Sequence, residues 1–164
     1  MANADKPQGF ELKDSEGKQF RTKKYAKSAA VLYPGDVVKA NATGDVSVAA
    51  AGEVPVGVVL GYADAAEPDV LICDDPEAIF AVQVSNGSFA LADVFQNIDL
   101  AAGTPDSLLK RSGMSADIGT LAATATLQFK IVGLEDREEN EVGAFARILV
   151  KPNEHLFKAG TAGV

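Results

Sequence analysis

The 164-residue chain has no tryptophan, one cysteine, one histidine and only 7% aromatic residues. Its core must therefore be aliphatic, built from Val, Ala, Leu and Ile. A single cysteine excludes a disulfide within the chain, and Cys73, beside Leu71 and Ile72, reads as a buried strand thiol. The only histidine, His155, lies far along the chain, so neither a Cys–His nucleophile pair nor a Cys/His zinc site is expected. No apolar run approaches the ~18 residues of a membrane span. The opening Met-Ala-Asn-Ala-Asp-Lys-Pro lacks the apolar stretch of a secretory signal, so the expectation is a soluble protein made in a cytoplasm. Catalytic signatures are missing too: there is no nucleophile elbow, no phosphate-cradling Gly-rich loop ahead of a helix, and no paired histidine. Neither an enzymatic activity nor a cofactor is expected.

Charge of one sign is also scarce over most of the chain. The net charge is −8, yet residues 1–30 carry seven basic and four acidic side chains, and the remainder carries eight and 19. This is a basic arm on an acidic body. Such a body argues against general nucleic-acid binding, which depends on releasing phosphate counterions through Lys and Arg.

What the chain does have is β-branched alternation punctuated by glycine. In residues 35–61, Val37 and Val38, then Val46 and Val48, then Val54 to Leu60 form three short apolar runs bounded by Gly35, Gly44, Gly52 and Gly61. Asn41-Ala42-Thr43-Gly44-Asp45 joins the first two as a hairpin. The expected fold is mainly β, a small β-barrel or β-sandwich of jelly-roll or tulip-like form, with one short helix and an extended N-terminal arm. The expected division is an arm over 1–30, a β-rich domain over 31–151 and a C-terminal tail over 152–164.

Around this centre, residues 29–33 read as a strand that stops at Pro34-Gly35. Further strands are expected at Val70 to Cys73, at 78–84, at Thr124 to Leu134 with Leu127, Phe129 and Ile131 on one face, and at Ala144 to Val150. Glu135 to Glu141 supplies an acidic turn. Ala90, Leu91, Val94, Phe95 and Ile98 fall at helical spacing with Ser88 placed to cap them, which predicts the one helix. Residues 99–125, with Gly103, Pro105, Gly113 and Gly119, read as a long surface loop carrying short strands or turns. The tail containing His155 ends in Ala-Gly-Thr-Ala-Gly and is expected to fray.

Two groups of residues are candidates for function. Phe10, Phe20 and Tyr25 stand isolated in the polar arm, where aromatics either anchor a segment in a partner's groove or fold back on the same domain. Asp74, Asp75 and Glu77 surround Pro76 and could attract a hard cation, but they lack the alternation of a calcium loop and read more simply as a turn.

The opening MANADKPQGF, then VLYPGDVVKA, VSVAAAGEVPVGVVLGY, DDPEAIFAVQV, TATLQFKIVGL and DREENEVGAFARILVKPNEHLF follow one another in an order that resembles tailed-bacteriophage capsid cement (head decoration) proteins. The resemblance implies a β-rich, trimeric protein on the outer surface of a virion. There it would bind the major capsid protein and clamp neighbouring capsomers, with no nucleic acid or membrane as partner. On that expectation Phe10, Phe20 and Tyr25 anchor the arm, while Lys23, Lys24 and Lys27 face acidic capsid surface. Deleting residues 1–27 would then leave a folded protein unable to load. Two other classes remain open from the residues alone: a carbohydrate- or receptor-binding β-sandwich, and a small barrel enzyme using Asp74, Asp75 and Glu77.

Overall fold

The computed structural model describes residues 3–13 and 18–164. Asp14 and Glu16, counted in the arm's charge above, lie outside the described residues with Ser15 and Gly17. So do Met1 and Ala2 of the opening motif.

The described chain is mainly β. Its strands are β1 (Glu11–Lys13), β2 (Thr22–Ala26), β3 (Val37–Ala40), β4 (Val46–Val48), β5 (Pro55–Val59) and β6 (Asp69–Cys73). They continue as β7 (Ile79–Ser85), β8 (Ser88–Phe89), β9 (Asn97–Ala101) and β10 (Ser115–Ala122). The last three are β11 (Phe129–Leu134), β12 (Gly143–Ala144) and β13 (Arg147–Pro152).

The larger sheet runs β1-β7-β10-β9-β11-β13, and β13 pairs again with β7, so five of its strands close into a barrel. Strand β1 shares an edge of β7 with β10, covering Ile79 to Ala81 while β10 covers Val84 and Ser85. The smaller sheet runs β2-β6-β5-β3-β4, and one parallel bridge from Lys27 to Val46 joins its outer strands. In the large barrel closure removes edges that would otherwise pair with other chains. In the smaller sheet the single bridge leaves the outer edge of β2 at Thr22 and Lys24 without a paired strand among the described residues.

Period-two patterning explains how the two sheets share the chain. Every residue of β5 is buried, because Val58 enters the core of the large barrel and Val59 the smaller core formed by Leu32, Val38, Val46, Val70 and Ile72. Strand β5 is the wall between the two cores. The hairpin of β3 and β4 forms as its turn residues require: the Asn41 N–H donates to the Asp45 carbonyl at 2.8 Å and Gly44 adopts φ +83°. Cys73 is buried where the apolar run predicted it, and burial pushes its thiol pKa up.

Four local expectations fail. The helix over 90–98 is a single 3₁₀ turn, Leu91–Asp93, capped by the Asp93 carboxylate on the Ala90 N–H at 2.7 Å while Ser88 sits in β8. Its stripe never forms one face: Leu91 and Phe95 are exposed, Phe95 takes φ +73°, and Ile98 is buried in β9. Over 99–125, where a loop with only short strands or turns is expected, the chain forms β10, an eight-residue strand whose Ile118 and Leu121 pack against the large core. The strand over 124–134 begins at Phe129, and only a Leu32–Ala63 bridge replaces the strand over 29–33.

The tail is tied down as well. The Asn153 amide donates to the Ala125 and Leu127 carbonyls, both at 2.9 Å, and the Gly163 N–H donates to the Ala123 carbonyl.

Candidate functional site

Residues 3–13 and 18–30 are extended, but they are laid against the chain's own sheets. Phe10 is 2% exposed and its ring stacks on Phe129 at 4.6 Å between centroids. It gets there because Gly9, at φ +75°, passes so close to Gly35 and Ser112 that a Cβ would lie 2.5 Å from the Ser112 Cβ. Phe10 is therefore a core residue of this chain and not an anchor for a partner. Phe20 is half-buried against the same core, and Tyr25 against the smaller one.

Tyr25 also donates its hydroxyl to Asp74 Oδ2 at 2.5 Å. Burial and the Asp74 carboxylate push the phenol up to about 12, so it remains a donor at any ordinary pH. Lys27 is corrected too. It is 8% exposed, and its ammonium donates to the Ser28 and Ala30 carbonyls at 3.0 and 2.8 Å, so it faces no partner. Of the six arm residues, only Lys23 and Lys24 are exposed, on β2, with the Lys23 ammonium 5.2 Å from the centre of the Tyr25 ring.

That strand has an open edge. The Arg21 carbonyl accepts from the Asp74 N–H and the Lys27 N–H donates to the Pro68 carbonyl, so odd-numbered residues face β6. Antiparallel alternation then turns the N–H and C=O of Thr22 and Lys24 the other way, where no strand among the described residues pairs with them.

The three carboxylates near Pro76 are occupied by the chain's own donors. Asp74 accepts from Arg21 Nε at 2.9 Å and from Tyr25, while Asp75 accepts the backbone N–H groups of Arg21 and Glu77. Glu77 pairs with Lys151 and with Lys158, whose hydrogen bonds hold it down to about 2. Among the described residues no group of three His, Cys, Asp or Glu side chains is placed to hold a metal ion. His155 is buried, accepts the Phe157 N–H on Nδ1 at 3.1 Å, and is held below its ordinary pKa by burial.

Sequence reasoning missed the exposed apolar turns. Leu108 and Leu109 stand at one loop tip, and Leu156 and Phe157 at another closed by the His155–Lys158 bridge. Adjacent large apolar residues read as core in a sequence; only a flanking Asp106-Ser107 and Lys110-Arg111 hint at a turn. No protein family matches the chain, and no curated protein or solved structure matches it either.

Proposed function

We propose that this chain is a capsid decoration protein, bound through β2 to the outer surface of a tailed-phage shell and stabilising contacts between neighbouring capsomers. The reading rests on the order of the segments that resemble such proteins and on one structural observation. An edge with two exposed lysines, Lys23 and Lys24, and unpaired backbone groups belongs to a chain of net charge −8. A partner's extended acidic segment can add to that edge as a strand, with main-chain bonds holding it and Lys23 and Lys24 selecting its charge. Fixing capsomers requires contact area and not chemistry. Copies assembled as a homotrimer would engage the major capsid protein at several points at once, and linked contacts multiply in strength.

Deleting residues 1–27 cannot test this, because it removes Phe10, β1 and β2 from the folded body. Point variants can. Lys24→Pro removes an N–H that faces away from β6, so the ladder to β6 stays intact while strand addition is blocked. K23E/K24E inverts the charge at the edge. Both folded variants, mixed with expanded shells lacking the protein and pelleted, are expected to load roughly tenfold less than wild type. Full loading by both sinks the role of β2, and wild-type protein left in the supernatant sinks the shell reading itself.

A further inference from the structure

His155, the only histidine of the chain, is 4% exposed and heads a short turn just beyond β13. The turn closes on itself: the His155 N–H donates to the Lys158 carbonyl at 3.1 Å, and the Lys158 N–H donates to the His155 carbonyl at 2.9 Å. Two further bonds fasten it to the body. The Leu156 N–H donates to the Pro55 carbonyl at 2.9 Å, and the Phe157 N–H donates to Nδ1 of the buried imidazole at 3.1 Å. The side chains of Leu156 and Phe157 are held half-exposed, with the Arg21 guanidinium carbon 4.9 Å from the centre of the Phe157 ring.

Nδ1 can accept that bond only while it keeps a lone pair, so the ring is neutral and carries its proton on Nε2. Nε2 is sealed from solvent and without a hydrogen bond. The Val56 carbonyl favours a charged ring, but no hydrogen bond of ordinary geometry joins it to Nε2. Pro55, Gly57, Val58, Phe80, Phe129 and Pro152 close around the ring and leave no room for a water molecule. These residues of β5, β7, β11 and β13 bring no charge. The ionisable groups facing the ring are Cys73, Asp74 and Asp75 at the end of β6, Arg21 ahead of β2, and Lys158 in the turn itself. Asp74 favours a charged ring, but its carboxylate already accepts from Arg21 and Tyr25, while Arg21 and Lys158 oppose the charge.

A second proton would turn Nδ1 from an acceptor into a donor aimed at the Phe157 N–H. It would also leave a buried cation with no acceptor at either nitrogen. The ring cannot take that proton in place, but a ring swung out with its turn can.

We propose that residues 155–158 form a proton-operated latch: in mild acid His155 leaves its place to bind a proton, and Leu156 and Phe157 are released while both sheets stay closed. Opening undoes the four hydrogen bonds named above and the Lys158–Glu77 ion pair, a far smaller step than undoing the ladders of the barrel. It also lifts Phe157 from Arg21, next to the open edge of β2. The latch works whether or not the chain binds a shell. Below the ordinary histidine value of 6.5, the open turn takes up a proton that the closed turn refuses, so its population rises roughly tenfold for each pH unit lost.

The test is amide hydrogen exchange of the full chain, read residue by residue from neutral pH into mild acid and corrected for the intrinsic rate. Protection of the Leu156, Phe157 and Lys158 amides is expected to fall roughly tenfold per pH unit below 6.5, and to change little in dilute urea because the opening exposes little surface. The strands should show higher protection and a steep urea dependence. His155→Gln offers an acceptor that does not titrate, and its turn should hold the same protection throughout. Turn amides that ignore pH, that share the protection and urea slope of β13, or that respond to pH equally in His155→Gln overturn the latch. Nitrogen NMR of the wild-type ring checks it without a variant. A proton on Nε2 at neutral pH supports it, and a proton on Nδ1, or a ring that titrates while the Phe157 amide stays protected, overturns it.

Discussion

Gln128 shows how much of this fold hangs on single buried polar side chains. It is fully buried, its Oε1 accepts the Leu100 N–H at 2.9 Å, and its Nε2 donates to the Ala50 and Glu53 carbonyls at 2.9 and 2.7 Å. One amide thus ties β9 to the turn ahead of β5. Replacement by leucine strands the buried Leu100 N–H and removes the donor that holds the turn carbonyls, and Gln128→Leu is expected to lower stability by about 2 kcal/mol in a urea titration. Asn97 and Asp99 follow the same logic, with Asn97 donating to the Thr124 and Thr161 carbonyls and Asp99 accepting the Gln128 N–H. Polar residues of this kind do not declare themselves in a sequence. Their type suggests surface, and only the distant carbonyls that satisfy them make burial affordable.

At the scale of elements, β5 and β6 pack closely at Gly57. A Cβ on Gly57 would meet the Cys73 carbonyl oxygen at 2.2 Å and the Ile72 Cγ2 at 2.7 Å. The backbone atom cannot swing aside, so Gly57→Ala is expected to cost about 3 kcal/mol, seen as a lower denaturation midpoint with unchanged slope. Strands with alternating or continuous β-branched residues, such as β3, β5 and β7, were legible from periodicity. The element at 90–98 was misread because its apolar spacing fits a helix while its residues serve separate purposes: Ile98 is core, and Phe95 is exposed beyond a 3₁₀ turn. Strand β10 was illegible, since its sequence SADIGTLA pairs through backbone bonds to β9 and β7 that no side-chain pattern announces.

The whole molecule is sewn together from its ends. The Asn3 amide donates to the Glu141 and Ala144 carbonyls, β1 pairs with β7, and the C-terminal residues reach Phe95. His155 and Glu77 are two of the groups that shape its response to acid. Burial holds His155 neutral, with Asp74 favouring its charge and Arg21 and Lys158 opposing it. As pH falls through the ordinary value of 6.5, the unfolded chain takes up a proton that the folded chain refuses, so stability declines there. Glu77, ordinarily 4.5 but held to about 2 by Lys151 and Lys158, contributes fully above 4.5 and loses its contribution as pH drops toward 2. Urea midpoints measured across this range should fall in two stages, and His155→Gln should remove the first alone. A first stage that survives in that variant assigns it to another group.

The sequence by itself determined a β-rich fold with a basic start, because side-chain period, turn chemistry and charge are local properties of the chain, whereas the core it marked as aliphatic also holds Phe10, Phe80, Phe89 and Phe129. The tertiary structure alone decided that Phe10 and Lys27 turn inward, that the acidic cluster is neutralised by Arg21, Lys151 and Lys158, and that Leu108 and Leu109 stand in water. The Phe10 ring meets Phe129, the Lys27 N–H meets the Pro68 carbonyl, and the acidic cluster meets Arg21, Lys151 and Lys158, all many residues away. Burial is a property of what a residue meets, and the chain meets itself only once it has closed.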